Sequence, residues 1–246
     1  MFDPLVIRPD CNVPEAEYIR LLGYPPHRTL EDRARELADG ARAWFAEHGR
    51  PWIYARQTEA VEINDTHFSI NGTEFSSKLL CEQFATAHAT QAVVVAVSAG
   101  KECEEHAREL WLDGKPDEYF FLEMFGSAVV EQLIATANGH ICTWADTRQK
   151  IALPHHSPGY SGWDISEQHK LWQLLPGNTG TLPGELAVLE SGMLKPKKSL
   201  LALVGIASQR EAATKLSRLV PCETCALSDC QYRRAPHRRA RRPALS

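Results

Sequence analysis

Hydrophobic residues recur at every third or fourth position between residues 29 and 48, which is the spacing of an amphipathic helix. Charged residues occupy the opposite face of this helix. Thr29, followed three positions later by Asp32, is expected to cap its first turn. The pattern predicts a surface helix that buries one stripe, made of Leu30, Ala34, Leu37, Ala41, Trp44 and Phe45.

Two continuous apolar runs, residues 91–98 and 200–208, have the pattern of strands that are buried on both faces. Residues 59–76 alternate between apolar and polar instead. Asn64-Asp65 and Asn71-Gly72 interrupt this segment where tight turns are expected, so it predicts a hairpin or meander.

A helix bounded by glycines is predicted over residues 99–114, and a second one begins near residue 118 and extends to about residue 140. Gly126, Ser127 and Ala128 lie within the second helix. Their small side chains leave room for another element to approach this helix closely.

Strands and helices alternate irregularly, with hairpin signals among them. Asp164 and Glu167 are expected to cap a helix over residues 165–175, and residues 209–219 are predicted as a short helix. The predicted fold class is α/β (α+β): a largely antiparallel twisted sheet flanked by helices, not a repeating series of strand–helix–strand units. Neither a GxGxxG nor a GxxxxGK[ST] motif occurs, so dinucleotide-binding and P-loop functions lose their main support.

The composition is 43% hydrophobic and 24% charged, which is ordinary for a globular protein with a buried core. No apolar run approaches the roughly 20 residues that span a bilayer. The first residues lack the basic stretch and apolar core of a signal peptide. We therefore expect a cytoplasmic protein with no membrane partner.

Charge is distributed unevenly along the chain. The formal net charge is −4, but six arginines lie within residues 233–242, so the rest of the chain carries about −10. Such a body repels nucleic acid and only the tail would attract it, so nucleic-acid binding is not expected. The arginines are Arg233, Arg234, Arg238, Arg239, Arg241 and Arg242.

The segment HHSPGYSGWDISEQ, residues 155–168, contains residues that let the backbone bend sharply and approach a neighbour closely. Gly159 and Gly162 allow that approach, Pro158 stiffens the chain, and Tyr160 offers a ring face and a hydroxyl. Residue types alone leave two interpretations open: a ligand-binding loop, or a structural turn whose aromatic residues fill the core.

A second polar turn lies between two predicted strands in ELAVLESGMLKPKKSLLALVGI, residues 185–206. Polar and basic groups at a turn between core strands lie at a rim, where ligands are commonly held. Taken alone, the segment could equally be a solvated hairpin.

Together these two segments resemble the activation domain of cobalamin-dependent methionine synthase, and more closely the free-standing proteins related to that domain. The resemblance includes AVSAG at the end of a strand and FGSAVVEQL in a helix, and it covers most of residues 15–208. It implies a methionine synthase activation-like domain over residues 1–208. Residues 209–246 then form a C-terminal cysteine-containing segment with a basic tail.

This resemblance implies the reductive reactivation of a corrinoid, from cob(II)alamin to methylcobalamin, with S-adenosylmethionine as the methyl donor. The chain would act in trans on a corrinoid-binding protein, either a split methionine synthase or another corrinoid methyltransferase. The electron would come from a donor such as a flavodoxin or ferredoxin. No protein nucleophile or base is needed, because the cofactor carries the chemistry, so no catalytic residue is expected.

In the family the loop has the form Arg-x-x-x-Gly-Tyr, and the arginine meets the ligand carboxylate. Gly159 and Tyr160 match this form, but His155 stands at the arginine position. A neutral histidine gives no bidentate charged contact, so ligand binding is expected to be weaker or pH-dependent unless His156 or Lys197 substitutes. The implied ligand-binding residues are His155, Gly159, Tyr160, Trp163, Met193, Lys197 and Ser199.

Three of the seven cysteines, Cys222, Cys225 and Cys230, are clustered near the C-terminus. Such spacing in a reducing compartment indicates a metal site, either zinc or an iron–sulfur cluster. Each usually takes four ligands, so Cys142, Cys103 or a histidine would complete the set. An iron–sulfur cluster would suit electron delivery, and an inert tail is the remaining alternative.

A second class of function is also consistent with the sequence. The chain could be a non-catalytic S-adenosylmethionine- or corrinoid-binding accessory module in which the cysteines hold structural zinc. Loss of the cysteines would then affect folding but no electron transfer.

Overall fold

The computed structural model describes residues 5–10, 12–25, 29–175 and 182–208, together with Glu211 and Leu216. The clustered cysteines, the arginine tail and most of the short helix predicted over residues 209–219 lie outside these residues. The division of the chain at residue 208 therefore stays a prediction.

The centre of the molecule is one seven-stranded antiparallel sheet. Its strands run in the order β4-β3-β2-β5-β9-β6, and β1 also pairs with β2. This arrangement confirms the predicted fold class. The strands are β1 (Leu5–Ile7), β2 (Trp52–Ile63), β3 (His67–Ile70), β4 (Thr73–Ser76), β5 (Ala89–Ser98), β6 (Ile151–Ala152) and β9 (Ser199–Ala207), while β7 (Ala187–Val188) and β8 (Leu194–Lys195) form a separate hairpin.

Helices cover both faces of the sheet, and each face has its own core. The first core lies under α1, α2, α4 and α5 and includes Val93, Val95 and Val97 of β5. The second core includes Val94 and Ala96 of the same strand and lies under α3, α6 and the β3–β4 hairpin. The helices are α1 (Glu15–Leu21), α2 (Asp32–His48), α3 (Lys78–Ala87), α4 (Lys101–Leu112), α5 (Pro116–Asp146) and α6 (Gln168–Gln173).

Most of the predicted elements are present, and the helices differ from the prediction at their ends. The predicted cap of α2 by Thr29 and Asp32 was wrong. The N-cap residue is Glu31, and its side chain makes no capping hydrogen bond. The helix predicted over residues 165–175 begins as one turn of 3-10 helix at Ile165–Glu167. Its predicted Asp164 cap is confirmed, since Asp164 Oδ1 accepts a hydrogen bond from the Ser166 N–H at 2.8 Å. The predicted cap by the Glu167 side chain was wrong, because that carboxylate accepts the backbone N–H of Ser76 instead.

The long helix α5 crosses the first face of the sheet. By length and composition it could also span a membrane, contrary to the prediction that no apolar run is long enough, but more than half of its apolar window is buried inside the protein. The prediction that its small residues admit a neighbour is confirmed at Gly126. A Cβ atom there would lie 2.9 Å from Cys103 Sγ and 3.1 Å from Lys198 Cγ.

Candidate functional site

The loop over residues 155–163 is fixed to the sheet beside β9. The backbone N–H of His156 donates to the carbonyl of Leu203 at 2.9 Å, and the N–H of Leu203 donates to the carbonyl of His156 at 2.8 Å. The hydroxyl of Ser157 donates to the carbonyl of Leu201 at 2.8 Å. The loop therefore starts from a rigid strand, which is a suitable support for a binding site.

The side chain of His156 is part of this support. It is 7% exposed, and its ring stacks on that of Trp163 with a centroid distance of 6.2 Å. Its Nε2–H donates to the carbonyl of Ser161 at 3.2 Å. Burial lowers the pKa of His156 below its ordinary value, although the hydrogen bond opposes the shift. His156 is thus a neutral, buried residue in a position unsuited to replace an arginine on a ligand carboxylate.

Trp163 also lies in the interior. It is 3% exposed and packs edge-to-face against Phe68 and Phe75, at centroid distances of 6.1 and 6.0 Å. Its assignment as a ligand-binding residue stays a prediction, and in this structure its ring anchors the loop to the second core.

The glycines of the loop adopt the backbone conformations that the sequence indicated. Gly159 and Gly162 have φ values of 93° and 86°, which favour glycine because other residues carry a Cβ. Two N–H groups of the loop are used internally, since Gly159 donates to the carbonyl of Trp163 and Tyr160 donates to that of Ser157. These two groups do not point toward a ligand, so a bound molecule would meet side chains and the other backbone atoms.

His155 is held by a residue that the sequence analysis missed. The side-chain N–H of Asn138 on α5 donates to His155 Nδ1 at 2.9 Å. In the neutral imidazole the proton then resides on Nε2, which makes that nitrogen a donor. The ring of Tyr160 lies edge-to-face to His155 at 6.2 Å. No local signal in the helical sequence around Asn138 indicates this contact.

The Asn138 side chain that holds His155 also carries a buried acceptor atom. Asn138 Oδ1 has no hydrogen-bond partner among the described residues. A buried acceptor without a partner costs about 1–3 kcal/mol. This atom is compatible with a donor group on a ligand or an ordered water in the vicinity of His155.

The second predicted turn lies against the first loop. Gly192, with φ of 82°, is so close to the start of the 3-10 turn that a Cβ would be 2.8 Å from the carbonyl oxygen of Ile165. A Cβ on Gly159 would be 3.6 Å from Cδ1 of the same Ile165. Met193, next to Gly192, is 55% exposed. We call His155, Gly159, Tyr160 and Met193 the loop site.

Lys197 lies in a different part of the molecule. Its Nζ pairs with Glu123 Oε1 at 2.8 Å, and Lys198 Nζ pairs with Oε2 of the same carboxylate at 3.1 Å. Glu123 and Asn138 are 15 residues apart on α5, which is roughly 22 Å along the helix. Because of this separation, Lys197 is poorly placed to substitute for the arginine at the position of His155.

Ser199 likewise has a structural partner. Its hydroxyl donates to Ser98 Oγ at 2.9 Å, where β5 ends and β9 begins, and Ser98 Oγ also accepts the N–H of Gly100 at 3.1 Å. Of the predicted ligand-binding residues, His155, Gly159 and Tyr160 lie in one loop with Trp163, whose ring is buried. Met193 follows Gly192, which lies against the same Ile165 as Gly159. Lys197 and Ser199 are held by partners elsewhere.

No group of three metal-ligating side chains occurs in the described part of the chain. Of the two cysteines considered as a fourth ligand, Cys103 is fully buried, and burial together with the nearby Glu123 raises the pKa of its thiol to about 12. Cys142 is exposed, so it is the more accessible of the two. Cys222, Cys225 and Cys230 lie outside the described residues, and their metal site stays a prediction.

No protein-family model and no curated protein matches this sequence. Among solved structures, the chain is similar to a crystal structure of the MetH reactivation domain bound to AdoHcy (S-adenosylhomocysteine). The TM-score is 0.60 and the identity 11%, over 84% of this chain and 78% of that chain. At this identity the similarity establishes the fold alone. The fold implied by the sequence resemblance is therefore confirmed, whereas membership of the family stays a prediction.

Proposed function

We propose that the loop site binds S-adenosylmethionine and that the chain uses it to reactivate a corrinoid protein in trans. The observation that carries the proposal is the meeting of the two predicted segments at Ile165, on the fold of a domain that was solved with S-adenosylhomocysteine bound. The two segments are far apart in sequence, so only the fold brings them together.

Each residue of the loop site has a simple role in this proposal. The imidazole of His155, which Asn138 orients through Nδ1, contacts the ligand carboxylate. Gly159 leaves room above the turn, Tyr160 offers its ring to the adenosyl group, and Met193 supplies an exposed apolar contact. A neutral N–H gives a weaker contact than an arginine fork, so we expect modest affinity.

The overall reaction requires two contributions from outside the chain. One electron from a donor such as a flavodoxin or ferredoxin reduces cob(II)alamin on the partner to cob(I)alamin. The cobalt nucleophile then takes the methyl cation from the sulfonium of S-adenosylmethionine, which leaves S-adenosylhomocysteine. The chain itself binds and orients the methyl donor and excludes water. The partner, the electron donor and the cytoplasmic location stay predictions.

Calorimetric titration of the full chain, purified without oxygen, tests the binding step. We expect saturable binding of S-adenosylmethionine and of S-adenosylhomocysteine. His155→Ala should weaken binding by about tenfold, because it removes one hydrogen bond to a charged group. His155→Arg should keep or improve it. His169→Ala, which changes an exposed histidine on α6, is the control.

Equal binding by wild type, His155→Ala and His155→Arg would remove His155 from the site.

Methylation of cob(II)alamin on a corrinoid protein tests the second step. It is followed by the absorption spectrum of the corrinoid in the presence of a reducing donor. Binding without methyl transfer would favour the accessory module instead. Iron and zinc analysis of the wild type and a variant with Ser at Cys222, Cys225 and Cys230 would test the metal site.

A further inference from the structure

A cavity of about 860 Å³ lies where α4, the first turn of α5 and the β7–β8 hairpin meet. We call it the corner cavity. No residue of the loop site lines it. Its volume is in the range of sites that bind small molecules and cofactors, which is roughly 300–1,000 Å³.

Three polar contacts hold the walls of the corner cavity together. Lys101 on α4 pairs with Glu185 ahead of β7. Glu104 on α4 accepts the backbone N–H of Lys197 at 2.6 Å, and the Lys197 ammonium pairs with Glu123 of α5 at 2.8 Å. These charged groups therefore pair with one another and link the helices to the hairpin.

The cavity wall also carries two further cations. Arg108 on α4 and Lys195 on β8 both line the cavity. Neither side chain has a hydrogen-bond or ion-pair partner within the described part of the chain. Glu105 also lines the cavity, and it acts electrostatically on Lys101. Arg108 and Lys195 come from different walls of the cavity, one on α4 and the other on the β7–β8 hairpin.

An exposed aromatic ring lies beside these cations. Trp111 is 60% exposed and also lines the cavity. Tyr119 packs edge-to-face against Trp111 at 5.2 Å and so fixes its orientation, while the Lys197 ammonium lies 5.5 Å from the centre of the Tyr119 ring. An exposed indole held in place by a second ring is a surface on which a planar ring can stack.

We propose that the corner cavity binds a nucleotide, with the base on Trp111 and the phosphate between Arg108 and Lys195. A nucleotide has both a planar ring, which can stack on Trp111, and a compact anion, which can pair with the two cations. The guanidinium matches a phosphate with two parallel hydrogen bonds, and the ammonium adds a point charge. This site is separate from the loop site and does not depend on the function proposed for it.

Titration of the full chain with AMP, followed by calorimetry and tryptophan fluorescence, tests the proposal. We expect saturable binding that Arg108→Gln and Lys195→Gln each weaken by about tenfold, as for the loss of one charged hydrogen-bond partner. Trp111→Ala should weaken it and Trp111→Phe should retain it. Adenosine, which lacks the phosphate, should bind more weakly than AMP. Lys115→Gln is the matched control, because Lys115 pairs with Asp113 and does not line the cavity.

Three results would overturn the proposal. One is the absence of saturable AMP binding up to millimolar concentration, and another is unchanged binding in both cation variants. The third is displacement of AMP by S-adenosylhomocysteine together with loss of both ligands in Arg108→Gln, because the methyl donor itself would then occupy this cavity. Circular dichroism of each variant shows whether it is folded. All substituted side chains here are at the surface, so folding should be retained.

Discussion

Two adjacent histidines in one loop have opposite roles. The backbone of His156 forms a bridge with Leu203, so its side chain turns into the second core, and His155 is directed to Asn138 on α5. Successive side chains of an extended segment point to opposite faces, which explains the difference. The sequence alone identifies the pair but not which member is buried, because both side chains have the same chemistry.

The buried histidine makes the stability of the protein depend on pH. Burial lowers the pKa of His156 in the folded state, so below the unfolded pKa of about 6.5 the unfolded chain binds more protons than the folded one. Stability contributed by the neutral ring is complete above that pH. It is lost as the pH falls toward the folded pKa, by less than about 1.4 kcal/mol per pH unit.

Urea unfolding at several pH values between 7.5 and 5 measures this loss. His156→Gln keeps a side-chain N–H for the Ser161 carbonyl but cannot be protonated, so its stability should fall less steeply with acid than that of the wild type. His169→Gln, at an exposed position, should follow the wild type. An identical slope in His156→Gln and the wild type would contradict this account.

At the scale of elements, the contact between the second turn and the 3-10 turn joins the two halves of the loop site. Gly192→Ala places a methyl group against the carbonyl of Ile165 and also strains a φ of 82°. Gly23→Ala strains a similar φ of 83°, but nothing lies within 4 Å of its added Cβ. The pair of variants therefore separates the cost of the clash from that of the backbone conformation.

We expect Gly23→Ala to lower the free energy of unfolding by about 1 kcal/mol, the cost of a left-handed residue with a side chain. Gly192→Ala should lower it by about 2–4 kcal/mol, because the overlap adds to the same strain. It should also weaken S-adenosylmethionine binding if the loop site is the ligand site. Denaturant unfolding measures the loss of stability, and calorimetry measures the loss of binding. Equal losses of stability in both variants would show that the turn moves to accommodate the added methyl group at no cost in free energy.

The periodic pattern of apolar residues predicted several of the helices and strands. It did not predict elements whose formation depends on tertiary contacts. α2, β5 and β9 appear close to their predicted bounds, because each has a long apolar stripe or run, whereas β2 begins at Trp52 and not at residue 59, where the predicted meander began. α3 was missed, although Ser77 caps it by accepting the N–H of Leu80 at 3.3 Å.

The candidate site was predicted only in part. The family resemblance implied that both segments contact a ligand, which stays a prediction. The sequence could not show that Lys197 pairs with Glu123, or that Asn138 reaches His155 from α5. Both contacts join residues distant in sequence. They depend on how α5 crosses the sheet, which no local pattern reports.

At the scale of the whole molecule, the two cores are not independent, because β5 and β9 contribute to both. Val94 and Val95 are neighbours on β5 and are both fully buried, yet Val94 packs in the second core and Val95 in the first. A central strand that is apolar on both faces links the helices on one side to the hairpin and helices on the other. We therefore expect the described domain to unfold as one cooperative unit.

Val94→Ala and Val95→Ala test this expectation from the two sides of the same strand. Each removes two buried carbons and leaves a small cavity, so each should lower the free energy of unfolding by about 2 kcal/mol. Because one transition includes both cores, tryptophan fluorescence and far-UV circular dichroism should report the same shifted urea midpoint for each variant. Thr90→Ala, at an exposed position of β5, should leave the midpoint nearly unchanged. Separate transitions in either variant, or a shift in only one of the two signals, would show that the faces of the sheet unfold independently.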